Sequence, residues 1–248
     1  MTTRRRGKNS AETLVVVPTL NERQNLEKLI PAILATADGV DVLVVDDNSS
    51  DGTGTVADQF ALETGRVHVL HRPTRMGLGS AYVDGFKYAI KNSDARYVFE
   101  MDSDFSHDPK YIPDFLEAIR DSDLVVGSRY LKGISIVNWP LNRLIISKIG
   151  NWYARSITGL PLTDVTAGFK CFRREVLEHL DLDSIHSNGY SFQIEMTYMV
   201  WKKGFRVKEV PIIFVDRAIG ESKITYGIVW EAIWRVWALK FKHMLGGK

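Results

Sequence analysis

The sequence of 248 residues has a single cysteine, Cys171, and no apolar stretch near the roughly 20 residues that a membrane-spanning helix needs. One cysteine excludes an intramolecular disulfide and is typical of a reducing compartment. An arginine cluster stands near the N-terminus, but polar residues follow it where a secretory signal needs an apolar core. We therefore expect a cytoplasmic protein with neither an export signal nor a transmembrane anchor.

Two glycine-rich phosphate-binding motifs are also missing. No G-x-G-x-x-G follows the first predicted strand, and no G-x-x-x-x-G-K-[ST] occurs anywhere in the chain. Their absence argues against the usual nicotinamide-cofactor and NTPase sites, in which backbone N–H groups cradle the phosphates. We expect that any diphosphate bound here is neutralised by a metal ion held on carboxylates.

Charge is unevenly distributed although the net charge is only +2. Residues 1–10 hold four basic and no acidic residues, and residues 201–248 hold ten Lys and Arg against four Asp and Glu. Basic ends around an acidic body are typical of segments that meet an anionic surface. Basic residues avoid the predicted sheet and no base-stacking motif accompanies them, so we expect no nucleic-acid partner.

Strands and helices alternate through the first half of the chain. Continuous apolar runs predict buried strands, and apolar residues at helical spacing predict the helices between them. The predicted strands span residues 14–17, 42–45, 67–70, 97–100, 124–127 and 207–215, and the helices span 22–36, 53–64, 81–91, 109–121, 138–158, 174–180, a stretch from about 190, and 225–245. This alternation predicts an α/β fold with a mostly parallel sheet flanked by helices.

The same pattern predicts one catalytic domain with two appendages. Residues 1–10 form a basic, flexible N-terminus, residues 11–223 the domain, and residues 224–248 a C-terminal amphipathic helix. No internal repeat, low-complexity block or linker divides the middle segment.

Acidic residues follow two of the predicted strands. Asp102 and Asp104 flank Ser103 directly after the strand at 97–100, and Asp47 follows the strand at 42–45. Ligand sites of α/β folds lie at such strand ends, where a carboxylate accepts hydrogen bonds from a base or ribose. Paired carboxylates are also suitable ligands for a hard divalent cation. The sequence therefore predicts a metal–diphosphate site beside a nucleoside site.

Seven short motifs follow one another along the chain, at residues 17–22, 46–53, 77–82, 101–104, 127–130, 190–195 and 216–223. Their order resembles that of glycosyltransferase family 2, and within it the polyprenyl- (dolichyl-) phosphate mannose synthases. The resemblance implies a GT-A fold, a nucleotide-sugar donor, Mg²⁺ or Mn²⁺ as cofactor, and transfer to a lipid phosphate with inversion at the anomeric carbon.

The resemblance also implies a role for each matching position. The nucleotide sugar would be bound by Pro18, Leu20, Asn21, Glu22, Asp47, Gly77, Asp102, Ser103, Asp104, Gln193 and Glu195. The acceptor phosphate would be bound by Arg129, Arg143, Ser222 and Lys223, and the metal by Asp102 and Asp104. The catalytic set would be Asp102, Asp104, Arg129, Arg217 and Lys223. No general base is assigned, because a phosphate monoester with a second pKa of about 6 is already anionic at neutral pH.

The chain departs from the family pattern in two places that bear on the site. Leu20 stands where relatives often have Tyr or Phe, so aromatic packing on the base is lost. Residues 106–107 are Ser and His where some relatives place a further metal ligand, Gln, so a third protein ligand is not predicted.

The predicted reaction moves mannose from GDP-mannose to polyprenyl phosphate at the cytosolic face of a membrane. The alternatives are a polyprenyl-phosphate glucosyltransferase using UDP-glucose and a non-catalytic nucleotide-sugar-binding subunit. In the last helix Trp230, Trp234, Trp237 and Phe241 form one stripe, which fits core packing, a peripheral membrane contact or docking on a small membrane subunit. The helix at 138–158 is a second candidate for lining an acceptor groove.

Overall fold

The structure is a computed structural model that describes residues 11–215, 234 and 236–241. The strands are β1 Thr13–Thr19, β2 Val40–Asp46, β3 Val67–His71, β4 Tyr97–Glu100, β5 Leu124–Ser128, β6 Ile136–Val137, β7 Lys170–Arg173, β8 Val207–Pro211 and β9 Phe214–Val215. The helices are α1 Arg23–Leu34, α2 Thr53–Thr64, α3 Leu78–Asn92, α4 Ile112–Ala118, α5 Leu141–Thr158, α6 Arg174–Glu178 and α7 Gly189–Lys202.

Seven strands form one sheet in the order β3-β2-β1-β4-β7-β5-β8, and β6 pairs with β9 in a second, two-stranded sheet. In the large sheet β7 is antiparallel to both of its neighbours, and the other pairs are parallel. The prediction of a mostly parallel α/β sheet is confirmed.

The apolar runs of the central strands are buried on both faces of the sheet. In β1, Leu14 and Val16 pack in the cluster that contains α3, whereas Val15 and Val17 pack in the cluster that contains α1. Helix α3 crosses very close to β1, since a Cβ added at Gly85 would lie 2.4 Å from a methyl group of Val16. This double burial explains why these strands show no polar alternation.

Two predicted elements differ from the structure, and one strand of the large sheet was not predicted. The strand predicted at 207–215 is two strands in two sheets, because the chain leaves β5 after Pro211 and pairs with β6 instead. The helix predicted at 109–121 starts with a 3₁₀ turn at Pro109–Tyr111, and α4 has Pro113, which lacks an N–H donor, in its first turn. Strand β7 was not predicted at all.

The residues after β5 include many apolar side chains that are not buried. Ten of the sixteen exposed large hydrophobic residues of the described chain lie in residues 131–152 and 213–215. We call these two segments the exposed apolar region. On α5 its members are Leu141, Ile145, Ile146, Ile149 and Trp152, which are 49–70% exposed. The helix rests on the domain through its other side, which includes Asn151, Ala154 and Ile157.

The described C-terminal residues are helical and divide in the same way. Val236 and Leu239 are buried in the main core, whereas Trp234, Trp237 and Phe241 are exposed. These three aromatic side chains are therefore not core residues. Trp230, the basic segment at 1–10 and most of the predicted helix at 225–245 lie outside the described residues. No helix in the described part is long and apolar enough to cross a bilayer.

Candidate active site

Three neighbouring strands, β2, β1 and β4, end at the same edge of the sheet. Their register is fixed by backbone hydrogen bonds that continue past the strands, from Asp47 N to Thr19 O at 2.9 Å and from Met101 N to Val16 O at 3.2 Å. The residues after these strands are therefore brought together, as predicted for a parallel sheet. We call the residues that follow these three strands, which include Asp47, Asp102 and Asp104, the acidic edge.

The loops after β1 and β2 are joined by side chains. Asn21, which has a left-handed backbone (φ 58°), accepts a hydrogen bond from Ser50 N at 2.9 Å. Its own N–H donates to Ser49 Oγ, and Glu22 N donates to Thr53 Oγ1, each at 2.9 Å. The structure thus places Asn21 and Glu22 on the acidic edge, next to Leu20 and the buried Pro18.

Asp47 is buried and holds the loop before α3. Its carboxylate accepts hydrogen bonds from Arg72 Nη1 at 2.6 Å and from the backbone N–H groups of Met76 and Gly77 at 2.9 Å. Gly77 has φ 95° and borders Asn188, whose Oδ1 accepts from Gly79 N at 3.2 Å. In this structure Asp47 therefore organises the glycine turn, and its contact with a nucleoside stays a prediction.

The two carboxylates after β4 are held in different ways. Asp102 Oδ1 accepts from the Tyr82 hydroxyl at 2.9 Å, and Asp102 N donates to His107 Nδ1 at 3.0 Å. Asp104 Oδ1 accepts from Ser106 N at 3.0 Å, and the turn between them is closed by Phe105 in the left-handed region (φ 61°). Asp102 is half-buried, while Ser103 and Asp104 are buried.

Negative charge is concentrated at this turn. Burial raises the pKa of the Tyr82 hydroxyl well above its ordinary value, and the charges of Asp102, Glu100 and Asp104 raise it further. Burial lowers the pKa of His107, so the ring is neutral at neutral pH, with its proton on Nε2 because Nδ1 accepts. A bare diphosphate would be repelled by such a site, whereas a cation fits it.

The residues present fit a divalent cation that keeps part of its water shell. No group of three or more His, Cys, Asp and Glu side chains suited to a metal is found in the described part of the chain. Two Asp carboxylates meet the requirement of a metal that is also bound by substrate phosphate and water. Space beside them depends on Gly168, where a Cβ would lie 3.6 Å from Asp102 Oδ2 and 3.2 Å from His107 Cε1.

Gln193, one of the two predicted sugar-binding residues on α7, also borders Gly168. The Gln193 side-chain nitrogen is 3.3 Å from the same Cβ position, so Gln193 and Asp102 border one spot. Gln193 Oε1 accepts a hydrogen bond from Lys170, and Lys170 lies 3.5 Å from Glu100 Oε2. Glu195 is buried and accepts from the Ser187 hydroxyl.

Arg129 is engaged by a neighbouring loop. Its Nε and Nη2 donate to the two oxygens of Asp164 at 2.6 and 2.7 Å, and Nη2 also donates to Thr166 Oγ1. Burial by itself would raise the pKa of Asp164, but the charge and hydrogen bonds of Arg129 lower it below its ordinary value. Glu209 on β8 holds the same loop by accepting from Asp164 N at 2.9 Å. The contact of Arg129 with an acceptor phosphate stays a prediction.

The remaining predicted phosphate contacts divide into two groups. Arg143 lies in the first turn of α5 and is half-exposed. Its guanidinium carbon is 4.2 Å from the centre of the Trp139 ring. Arg217, Ser222 and Lys223 lie outside the described residues.

Sequence reasoning missed four residues that shape the site: Tyr82, Gly168, Lys170 and Arg72. Tyr82 lies within the matching segment at 77–82, where a lone tyrosine after the glycine turn was the available signal, and Gly168 lies outside every matching segment. Lys170 and Arg72 gave no signal, because their partners are 70 and 25 positions away in sequence.

Comparisons with known proteins agree with this geometry. A model of glycosyl transferase family 2 matches residues 14–181. An undecaprenyl-phosphate mannosyltransferase of Micrococcus luteus is 47% identical over 228 residues, which cover 91% of this chain and 93% of that protein. A polyprenol monophosphomannose synthase of Mycolicibacterium smegmatis is 44% identical, and the match covers 92% of this chain and 87% of that protein.

Solved structures confirm the GT-A fold. Glucosyl-3-phosphoglycerate synthase from Mycobacterium tuberculosis, in complex with Mn²⁺, UDP and phosphoglyceric acid, superposes with a TM-score of 0.69 at 18% identity, covering 93% of this chain and 78% of that one. The complex of the same enzyme with Mg²⁺ and UDP gives a TM-score of 0.67 at 20% identity, with 93% and 80% covered.

Proposed function

The chain belongs to glycosyl transferase family 2, and from that premise we propose that it transfers mannose from GDP-mannose to polyprenyl phosphate with inversion at the anomeric carbon. The observation that supports this most is the pair of relatives named for mannosyl transfer to a polyprenyl carrier, matched at 44–47% identity over most of both chains. The intact acidic edge argues against the alternative of a non-catalytic subunit.

We assign the divalent cation, Mg²⁺ or Mn²⁺, to Asp102 and Asp104. Such an ion, when bound, supplies the charge that stabilises the leaving nucleoside diphosphate. Tyr82 orients Asp102 through its 2.9 Å hydrogen bond, and the Asp102 N–H to His107 bond fixes the start of the turn. The solved structures of a family neighbour that contain Mn²⁺ or Mg²⁺ are consistent with this assignment.

The protein contributes chiefly by placing the two substrates. The acceptor is an ionised phosphate, so a dedicated base is not required, and alignment of its oxygen with the anomeric carbon supplies much of the rate increase. Gln193 and Glu195 lie on the sugar side, and Arg143 with Arg129 on the acceptor side. Arg217, Ser222 and Lys223 are assigned to the phosphates from the family pattern alone.

The exposed apolar region is the proposed contact with the membrane that holds the acceptor. Helix α5 has Leu141, Ile145, Ile149 and Trp152 on one exposed face. The region has no acidic residue, and it holds Lys132, Arg143 and Lys148. Apolar side chains flanked by basic ones are typical of segments that lie in the interface of an anionic membrane. A small membrane subunit seated on the same face is the alternative partner.

The test is product formation from polyprenyl phosphate with GDP-mannose and with UDP-glucose in parallel, each with and without a chelator. We expect chelator-sensitive transfer from GDP-mannose alone, and NMR of the product showing the inverted anomer. Transfer from UDP-glucose would replace the donor and keep the site. Absence of transfer from both, with membranes and Mn²⁺ present, would overturn the catalytic proposal.

A further inference from the structure

A buried ion pair connects the strand that carries the acidic edge to helix α7. Glu100, the last residue of β4, and Lys170, the first residue of β7, are direct partners across the antiparallel strands. Both side chains are fully buried, and Lys170 Nζ lies 3.5 Å from Glu100 Oε2. Burial raises the pKa of Glu100 to about 7 and lowers the pKa of Lys170. Replacing such a pair by apolar residues of similar volume is often neutral or stabilising, so core stability alone does not account for its presence.

Lys170 determines which way the amide of Gln193 faces. An ammonium group only donates, so the amide must turn its oxygen toward Lys170 Nζ, where the structure shows a hydrogen bond. The Gln193 nitrogen is thereby directed to Gly168, at the spot bordered by Asp102 Oδ2, and the Gln193 amide also makes a hydrogen bond to Glu100 that lowers the pKa of that carboxyl. With the opposite orientation an amide oxygen would face Asp102, and two acceptors would stand where the donor sugar is proposed to bind.

We infer that Lys170 is a positioning residue that holds the Gln193 amide so that one of its N–H groups faces the sugar of the donor beside Asp102. Glu100 keeps the ammonium in place. The inference rests on the proposed function, since it names a residue that prepares the donor site. Neither Lys170 nor Glu100 touches the substrate in this scheme.

The test removes the Glu100–Lys170 ion pair without leaving a buried charge. Lys170→Met alone would leave Glu100 buried without its partner. The variant is therefore Glu100→Gln with Lys170→Met, which replaces the pair by neutral residues of similar size. We expect it to unfold near the wild-type temperature and to lose roughly ten- to hundredfold in kcat/KM, the range for one hydrogen bond to a charged group. Affinity for the nucleoside diphosphate alone should stay within about twofold, because only the sugar-side contact changes.

Coupling to Gln193 separates positioning from a general structural role. Gln193→Leu should cost the same factor as Glu100→Gln/Lys170→Met, and the triple variant should cost no more, since all three remove one oriented amide. Gln59→Leu is the matched control, because Gln59 is exposed on α2 and its amide bonds only Glu63. Losses that multiply, or a double variant with wild-type kcat/KM, would overturn the inference.

Two further measurements keep the inference testable if the double variant does not fold or if no acceptor is turned over. Gln193→Glu keeps the shape and the bond to Lys170 but removes the N–H donors, and should weaken binding of GDP-mannose about tenfold or more relative to GDP. Unchanged affinity would contradict the inference. The chain has only three glutamines, Gln24, Gln59 and Gln193, so side-chain amide NMR of ¹⁵N-glutamine protein gives three assignable pairs. Addition of GDP-mannose should change the chemical shifts of the Gln193 amide pair alone. Unchanged shifts of that pair would contradict the inference whatever the turnover.

Discussion

The acidic edge and the exposed apolar region differ in the kind of side chain that they bury and expose. At the acidic edge, polar side chains are buried and joined to one another, as Asp47 is to Arg72 and Asp102 to Tyr82. In the exposed apolar region, side chains such as Ile149 and Trp152 are 59% and 68% exposed. One part is completed by the described residues, and the other presents apolar surface that the described residues do not bury. The difference indicates that the proposed donor site is preorganised and that the proposed acceptor site is assembled at a surface.

The largest expected effect comes from the buried ion pair between Arg129 and Asp164, which borders the exposed apolar region, since the Arg129 guanidinium lies 5.7 Å from the Trp139 ring centre and 5.5 Å from that of Phe214. Arg129→Met would leave Asp164 charged, fully buried and without its bidentate partner, which destabilises by about 3–5 kcal/mol. Urea unfolding measures this loss. The double variant Arg129→Met/Asp164→Leu should recover most of it, and equal losses in the two variants would show that the pair does not anchor the loop at 163–166.

Asp104→Asn should remove one of the two carboxylates proposed to hold the metal, while the amide oxygen can still accept from Ser106 N and the fold is kept. We expect transfer to fall by about 10²–10³-fold, the usual effect of removing one stabilising group from an active site. The matched control is Asp108→Asn, because Asp108 Oδ1 accepts from Lys110 N in the same i to i+2 arrangement in which Asp104 accepts from Ser106 N. Steady-state kinetics of both variants measure the loss of transfer activity. A comparable loss in Asp108→Asn would show that the effect is not specific to Asp104.

A charge introduced into the exposed apolar region should weaken membrane binding without changing the proposed donor site. We expect Ile149→Glu to reduce binding to anionic vesicles, and transfer to long-chain polyprenyl phosphate in them, by about tenfold, as expected for the loss of one buried apolar side chain. Transfer to a short, water-soluble acceptor should persist.

Leu62→Glu is the control for that variant, since Leu62 is 88% exposed on α2, away from the region. Vesicle sedimentation and assays with both acceptors test the difference. Identical losses with the soluble acceptor would place Ile149 in catalysis rather than at a membrane.

The smallest effect concerns pH at the periphery of the acidic edge. A hydrogen bond to Asp58 raises the pKa of His71 above its ordinary value. A raised folded-state pKa contributes stability below the unfolded pKa of about 6.5, and that contribution is lost as pH rises through the folded value. The stability difference between wild type and His71→Asn should therefore be larger at about pH 5.5 than at about pH 8.5, and stay below about 1 kcal/mol because the pair is exposed. Urea titrations at both pH values measure it, and the reverse order would refute the assignment.

The sequence predicted the acidic edge better than the rest of the molecule for a physical reason. Its strands are buried on both faces, so apolar runs such as residues 14–17 and 42–45 have few alternative structures, and α2 at 53–64 was predicted to the residue. Strand β7 was not predicted because it is only four residues long and contains Lys170 and Arg173. It also depends on partner strands from distant parts of the chain.

The orientation of α5 shows a second limit of sequence patterns. Helical periodicity located its apolar face but contains no information on what covers that face. The structure buries the side with Asn151, whose amide bonds Val165 N and Thr166 Oγ1, and leaves Ile145 and Ile149 exposed. The same limit applies to Lys170, whose role depends on a contact and not on a motif.

The place of β7 in the sheet also constrains how the chain folds. Strands β1 to β4 can pair as soon as residue 100 is available, but β5 and β8 reach them only through β7, which is completed at residue 173. Until then β4 is an open edge whose unpaired N–H and C=O groups can pair with another chain. During synthesis the nascent protein thus exposes β4 for at least 70 residues of elongation, the sequence distance between Glu100 and Lys170. The strand that covers this edge also brings Lys170 to Glu100, so protection of β4 and formation of the buried ion pair beside the acidic edge are a single event.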